Sequence, residues 1–334
     1  MSIKNSQKEM ILTLYLKKYK GELERVIGLE LSNIELERSN GGKKIDYYAV
    51  NKHRRLEVFL ESQVTPSNME HLVQKVKPII MSLSEGLVVW LATQFNPEHI
   101  KAVRSLLKDH RRQKYINFYA VEINQTILPV LDQLNTMYKL DIWSNLDLIN
   151  QIQQPFRLVD WHKQIPHTHV GKAVAVNQYD FTRLDDVKNY TLEKLRERLP
   201  QYINLHKAKK HNESNRRIVI GGGRDGINYN CSVQDRRNLA YVELHFSHNQ
   251  KILYEWLVNH YVSIRERVHP DIVMGKGRIG VYFKPCSDLQ DTVQRIAEIL
   301  EKMITYFTPY TCYWDNRNLN LMDGEKMNQL ESKT

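Results

Sequence analysis

The spacing of hydrophobic and polar positions changes repeatedly over the first 123 residues, and each change marks an element. Residues 6–27 read as a helix: Ile11, Leu12, Leu14, Tyr15, Leu16 and Tyr19 crowd one side, and Leu23, Val26 and Ile27 extend the set. Gly28 is the expected stop. LELSNIELE (29–37) reads as a strand, and Asn40-Gly41-Gly42 as a turn into a second strand within GGKKIDYYAV (41–50). Lys52-His53-Arg54-Arg55 turns again into a third, RLEVFLESQV (55–64). A helix after Pro66 and Ser67, running to about 82, should bury Met69, Leu72, Val73 and Val76, with Pro78 bending or shortening it. GLVVWLATQF (86–95) is apolar throughout, which predicts a central strand buried on both faces. A helix over 96–114 and a strand at YINFYAVEI (115–123) complete the order αβββαβαβ. That order predicts a mixed central sheet flanked by helices.

The next stretch is less regular. ILPVLDQLNTMY suggests a helix, but Pro155, Pro166 and HKQIPHTHVGK point to a connecting region over 126–180. A helix over 179–204 ends near Pro200, and HKAKKHNESNRR (206–217) reads as an exposed basic loop. Strands at RRIVI (216–220), LAYVELHFS (239–247) and RIGVYFK (278–284) alternate with helices at 250–267 and from Ser287 to about 307. The first of these helices carries Ile252, Leu253, Trp256, Leu257, Tyr261 and Ile264; in the second, Ser287 and Gln290 have capping-box spacing. The expectation is an α/β protein: a first domain at 1–125, a connector at 126–180, and an α+β domain at 181–320. A length of 334 residues, more than one core usually organises, agrees with two domains.

Composition narrows the class. Hydrophobic residues at 42% and charged residues at 26% are those of an ordinary globular chain. No apolar run is long enough to span a bilayer, and MSIKNSQKEM carries no signal segment, so a cytoplasmic protein with no membrane partner is expected. Cys231, Cys286 and Cys312 are odd in number and far apart, which implies neither a disulfide framework nor a cysteine zinc site. The net charge of +10 favours a polyanionic partner. On the 96–114 helix Lys101, Arg104, Lys108 and Arg111 form one basic stripe opposite Ile100, Val103, Leu106 and Leu107. A solvated helix face is the alternative reading.

Candidate chemistry sits on the second and third strands. Asp46 lies on one, Glu61 and Gln63 on the next, and residues i and i+2 of a strand share a face. Two carboxylates on adjacent strands are suited to a divalent metal, and Asp is disfavoured in strands unless something requires it. Phosphodiester hydrolysis needs an activated water and stabilisation of developing negative charge, which a metal on hard oxygen ligands supplies. Ordinary solvent-facing strand residues are the competing explanation.

Segment 9–123 resembles the PD-(D/E)XK nuclease superfamily in element order and motif. The resemblance rests on Gly41-Gly42-Lys43-Lys44-Ile45-Asp46, then Phe59-Leu60-Glu61-Ser62-Gln63, then Glu70-His71-Leu72. It implies a restriction-endonuclease-like fold, a DNase activity of restriction, defence or mobile-element type, and Mg2+ or Mn2+ held by Asp46 and Glu61. Gln63, standing where most such enzymes carry lysine, would orient the water, and Glu37 would support the site. Of Glu9, Glu22 and Glu24 on the first helix, Glu24 is favoured as a further acid. Lys43, Lys44, His71, Lys101, Arg104, Lys108 and Arg111 are the expected DNA contacts. Residues 180–310 are similar to a domain of unknown function that follows such modules. A homodimer, or a partner in a defence complex, is implied, and an inactive DNA-binding or accessory protein is the alternative.

Three other features carry less. GGGRDG (221–226) lacks the Gly-Lys-Ser/Thr ending of a P-loop and reads better as a hairpin turn. His167 and His169 flank one threonine with no acidic partner near in sequence. Trp143, Trp161, Trp256 and Trp314 are of a type that stacks on bases, although Trp256 falls in an apolar helical stripe.

Overall fold

The computed structural model describes residues 3–40, 43–109, 115–165, 169–171, 179–206 and 217–313. The chain forms two compact units, 1–178 and 179–334. The first contains α1 (Ile3–Lys18), α2 (Lys20–Ile27), β1 (Leu31–Asn40), β2 (Lys43–Asn51), β3 (Glu57–Gln63), α3 (Met69–His71), a π-helical turn (Leu72–Val76), α4 (Lys77–Ser82), β4 (Glu85–Ala92), α5 (Pro97–Asp109), β5 (Tyr115–Ile123), α6 (Ile127–Thr136) and β6 (Phe156–His162). Its sheet runs β1-β2-β3-β4-β5-β6. The β3–β4 and β4–β5 pairs are parallel and the others antiparallel, so the sheet is mixed as expected.

Local chemistry accounts for most boundaries. Tyr19, at φ −116 and ψ 52, divides the expected first helix in two, and Gly28 ends α2 in the left-handed region at φ 69. Asn40 pairs with Lys43 across the hairpin, whose Gly41 and Gly42 lie outside the described residues. β4 has parallel neighbours on both sides and is buried from Gly86 to Ala92.

The segment expected to be a connector instead extends the first sheet. Residues 156–162 form β6, antiparallel to β5 from Phe118↔His162 to Ile123↔Phe156. As an edge strand it is wet on one side, with Trp161 53% exposed, and its other side carries Asp160 and His162. That polarity masks the period-2 pattern.

The helix after β3 presents a different face from the one expected. Leu72, Val76, Ile79 and Ile80 join Tyr48, Phe59, Val88, Trp90 and Phe118 in one core cluster. Met69 and Val73 are about half exposed, whereas His71 is buried. Lys77 N–H reaches back to Leu72 O, widening the turn just before Pro78, which has no N–H to give Gln74 O. The helix therefore continues through the proline to Ser82.

The second unit contains α7 (Leu184–Arg198), α8 (Ile203–His206), β7 (Ile218–Gly221), β8 (Ile227–Ser232), β9 (Ala240–Phe246), α9 (Lys251–Asn259), α10 (Tyr261–Arg267), β10 (Val273–Gly275), β11 (Arg278–Phe283) and α11 (Leu289–Tyr313). Its sheet runs β10-β11-β9-β8-β7, antiparallel throughout. GGGRDG is the β7–β8 hairpin: Gly222 N–H donates to Ile227 O at 2.9 Å, and Gly223 and Gly226 have φ 109 and 81. The expected 250–267 helix breaks at His260 into α9 and α10, and Ile252, expected on its apolar side, is 53% exposed. Asp288, not Ser287, caps α11 by accepting from Gln290 N–H at 2.9 Å. Among the described residues no helix is long and apolar enough to cross a membrane.

Candidate functional site

The β2–β3 ladder pairs Tyr48 with Phe59 and Tyr47 with Leu60, and stops there. One step further the same register sets Asp46 opposite Glu61. Where the ladder would continue, Asp46 Oδ2 accepts from both the backbone N–H and the hydroxyl of Ser62, each at 2.9 Å. A side-chain carboxylate has taken the place of a ladder carbonyl. This differs from simple alternation, which would turn Ser62 away from the acids.

Glu61 pairs with Trp90 of β4 and is 1% exposed. Neither of its carboxylate oxygens makes a well-formed hydrogen bond among the described residues, although the Asp46 backbone N–H lies close enough to favour its charged form. Its ion pair is with Lys75 Nζ, 3.9 Å from Oε2. Glu37 reaches the same region from β1. The pairs Leu36↔Tyr47 and Arg38↔Ile45 bracket Glu37 and Asp46. Glu37 is held at φ 54, a left-handed value that a non-glycine residue seldom adopts, and binds Lys44 Nζ at 3.2 Å.

The first helix contributes Glu9 rather than the favoured Glu24. Glu24 Oε1 accepts from Leu31 N–H at 2.7 Å and Lys20 Nζ at 3.0 Å, so it caps the entry to β1. Burial raises the Glu9 pKa to about 7, assisted by Asp46 and Glu37 and opposed by Val64 N–H and Lys75. A signal for Glu9 was present in the sequence. It precedes Leu12 and Leu16 by three and seven residues, placing a carboxylate on the buried stripe of α1.

Gln63 is also buried. Its amide nitrogen donates to Thr65 Oγ1 at 3.0 Å and Pro66 O at 2.7 Å. The proline carbonyl can only accept, so the orientation of the amide is determined, and both donors are committed to the following loop. Oε1, by contrast, has no partner among the described residues. Gln63 therefore has an unused acceptor and no free donor.

Two residues of the next helix stand one turn apart. His71 is 3% exposed, stacks on Trp90 at 5.9 Å and 7°, and has a pKa lowered to about 4 by burial and then by Lys75. It is a neutral ring at neutral pH and presents no surface to a phosphate backbone. Lys75, which the sequence reading did not single out, is the cation of the cluster. Burial alone would lower its pKa, but Glu61, Asp46, Glu37 and Glu9 together raise it. Its spacing from His71, i and i+4 on the helix after Glu61, was the available signal.

The electrostatics are one-sided. Burial raises the Asp46 pKa, and Lys75, the two Ser62 hydrogen bonds and Lys44 only moderate the rise. Glu61 is raised well above its ordinary value by burial and then by Asp46, against the pull of Lys75. Four acids thus share Lys75 and Lys44. Among the described residues no three His, Cys, Asp or Glu side chains already form a group that holds a metal ion. Mg2+, however, commonly takes only one or two carboxylates and fills its other positions with water and substrate oxygens. The buried oxygens of Glu61 beside Asp46 are hard donors that fit that requirement.

The expected DNA contacts divide. Lys101 and Lys108 are exposed on α5, but Arg104 is bound to Asp160 of β6, with Nε–Oδ2 at 3.1 Å. Lys44 is engaged by Glu37. Arg111 and the Lys43 side chain lie outside the described residues. His169 bonds Glu85 at 2.9 Å, while His167 and Trp314 are outside the described residues. Trp256 stacks on His260 with centroids 3.8 Å apart.

No family model matches this chain, and no curated protein matches it.

Proposed function

We propose that the first unit is a metal-dependent DNA endonuclease in which Asp46 and Glu61 hold Mg2+ or Mn2+. The observation that carries this reading is the fully buried Glu61 carboxylate beside Asp46 at the end of the β2–β3 ladder, raised well above its ordinary pKa by burial despite its 3.9 Å ion pair with Lys75. Desolvating a carboxylate is costly even when it has a cation nearby, and strongly shifted acids of this kind cluster at functional sites. When bound, the ion would lower the pKa of a coordinated water and neutralise charge building on the phosphate.

The chain's own residues have distinct tasks. Ser62 keeps Asp46 in one orientation through two hydrogen bonds. Gln63 Oε1 accepts a hydrogen bond from the attacking water and so orients its lone pair toward phosphorus. Glu9, with a pKa about 7, is suited to take up a proton released at neutral pH. Glu37 and Lys44 form a bound pair that restrains the wall of the site on β1. Lys101 and Lys108 would contact phosphates. The assignment agrees with the PD-(D/E)XK resemblance, and with it a restriction or defence role in the cytoplasm.

The test is cleavage of supercoiled plasmid with Mg2+ or Mn2+ by the wild-type protein, Asp46→Ala and Glu61→Ala. The reading requires nicking by the wild type alone; absence of nicking with either metal, or undiminished nicking by both variants, rejects it. A second reading, a DNA-binding or accessory module without catalysis, is favoured by the commitment of the Gln63 amide to Thr65 and Pro66. It predicts metal-independent DNA binding that survives both substitutions without cleavage.

A further inference from the structure

We propose that the polar face of the second sheet is a binding platform for single-stranded DNA, on which Tyr282 and Tyr241 stack unpaired bases and Arg217, Arg237 and Arg278 contact phosphates. The platform belongs to the second unit and does not depend on the metal site. Only the choice of DNA as its polymer rests on the nuclease reading above.

Strand register divides the residues of this sheet into two faces. The pairs Ile279↔Leu244, Val281↔Val242 and Cys231↔Val242 are apolar and buried. Helices cover that side: Tyr229, opposite Leu244, donates to Met303 O of α11 at 3.4 Å, and Tyr202 packs edge-on against the same ring. The alternate residues point the other way. They form three ranks across β8, β9 and β11: Ser232, Tyr241 and Tyr282; Asn230, Glu243 and Gly280; Asn228, His245 and Arg278. These ranks hold no aliphatic side chain, so the face is not built to pack against an apolar layer.

A buried network keeps the face in shape. Glu243, 3% exposed, accepts from Asn230 Nδ2 at 3.0 Å and from Tyr282 OH at 2.7 Å. Tyr282 reaches it by leaning over Gly280, where an added Cβ would stand 3.2 Å from Tyr282 Cε2. The ring thus lies along the strands and stays partly exposed. Tyr241 sits beside it, with centroids 5.7 Å apart and planes inclined by 33°.

Charge on this face is layered. The Arg278 and Arg237 side chains are 51% and 67% exposed, whereas their acidic partners Glu243 and Asp235 are 4% and 18% exposed. The guanidiniums therefore face solvent above the carboxylates that hold them. Arg237 also stands 5.6 Å from the centre of the Tyr282 ring. Burial raises the Tyr241 pKa and lowers that of His245, and the Arg217 charge adds a downward pull on both, which sets this third cation at the same face. Aromatic surface ringed by arginines matches a chain of unpaired bases and phosphates. In a duplex the base faces are already stacked on one another and cannot reach such rings.

Fluorescence anisotropy of the full-length protein in EDTA tests the platform, using a labelled oligothymidylate of about 16 nucleotides, its duplex with oligoadenylate, and oligouridylate of equal length. Tyr282→Leu should weaken oligothymidylate binding by about tenfold, the scale of one lost stacking contact, and leave duplex binding within about twofold. Tyr282→Phe keeps the ring and should bind the single strand within about twofold of wild type. Arg237→Gln/Arg278→Gln should lower the slope of log K against log salt for the single strand by about 1.4. Unchanged single-strand affinity in a folded Tyr282→Leu variant, or an unchanged slope in the arginine pair, overturns the platform. So does absence of oligothymidylate binding by the wild type, and plasmid nicking then still judges the nuclease reading by itself. Oligouridylate bound about tenfold tighter than oligothymidylate overturns DNA as the polymer. If circular dichroism shows Tyr282→Leu to be unfolded, the salt slope of the arginine pair decides.

Discussion

Ser62 donates twice to one oxygen of Asp46, from its backbone N–H and from its hydroxyl, each at 2.9 Å. The pair fixes the carboxylate at the point where β2 and β3 separate, and both bonds lower its pKa against the effect of burial. Ser62→Ala removes the hydroxyl bond alone. Mn2+ affinity, measured by calorimetry, should fall by about tenfold, the usual scale for removing a group that orients a metal ligand. The loss should be larger at pH 6 than at pH 8, because the less stabilised carboxylate competes less well with its proton. Equal affinity of variant and wild type at pH 6 would count against Asp46 as a ligand.

Glu9 makes stability fall as pH rises. Its pKa is about 7 in the folded chain against an ordinary 4.5, so between these values the folded state holds a proton that the unfolded state has released. The contribution is complete below 4.5 and is lost as pH rises through 7. His71 acts in the opposite direction: its stabilising share is complete above 6.5 and is lost as pH falls toward 4. Glu9→Gln isolates the first effect. Between pH 5 and pH 8 the wild type should lose about 1–2 kcal/mol more than the variant, after allowance for partial exposure of the side chain. Parallel pH profiles in urea unfolding would show that Glu9 is not perturbed.

Glu61→Gln should stabilise the protein in EDTA, because the desolvation of the buried carboxylate outweighs its 3.9 Å ion pair with Lys75, as its raised pKa indicates. A rise of about 1–2 kcal/mol is expected at pH 8, seen as a higher melting temperature. The wild type should gain stability on adding Mn2+, more at pH 8 than at pH 5.5, since binding must displace protons. The variant should show no such gain. A destabilised variant that still responds to Mn2+ would remove Glu61 from the site.

On α5, pairing with β6 separates two kinds of exposed basic residue. Lys101, Lys108 and Arg104 are all exposed; among the described residues Lys101 pairs only with Glu98 of its own helix, at 3.8 Å, whereas Arg104 is held by Asp160 of β6. Replacing both lysines by alanine should reduce the slope of log K against log salt for DNA binding by about 2. Arg104→Ala should leave the slope nearly unchanged while loosening β6. A large change in slope from Arg104→Ala would place that residue on phosphate instead.

Gly21 inside α2 and Gly28 just after it should respond with opposite signs. Nothing lies within 4 Å of a Cβ added at Gly21, so Gly21→Ala should stabilise by about 0.5–1 kcal/mol through helix propensity. Gly28 has equal room but sits at φ 69, where alanine is strained, so Gly28→Ala should destabilise by about 1 kcal/mol. Thermal melts of the two variants check the pair.

Much of this protein is determined locally and is therefore legible in its sequence. Strand alternation, the glycine stop at Gly28, the GGGRDG hairpin and the buried run of β4 each depend on residues a few positions apart. Asp46 and Glu61 belong to this class, because a hairpin register fixes which residues of two neighbouring strands lie opposite each other. The tertiary structure decided which helical side chains reach that pair. Glu9 instead of Glu24, and Lys75 beside a neutral His71, depend on how α1 and the π-turned helix lie against the sheet. It also made residues 156–162 a sixth strand and tied Arg104 to it, since an edge strand is defined by its neighbour more than by its own pattern. Short-range sterics and hydrogen bonding act within a few residues, whereas convergence of charges follows from packing between elements far apart in sequence.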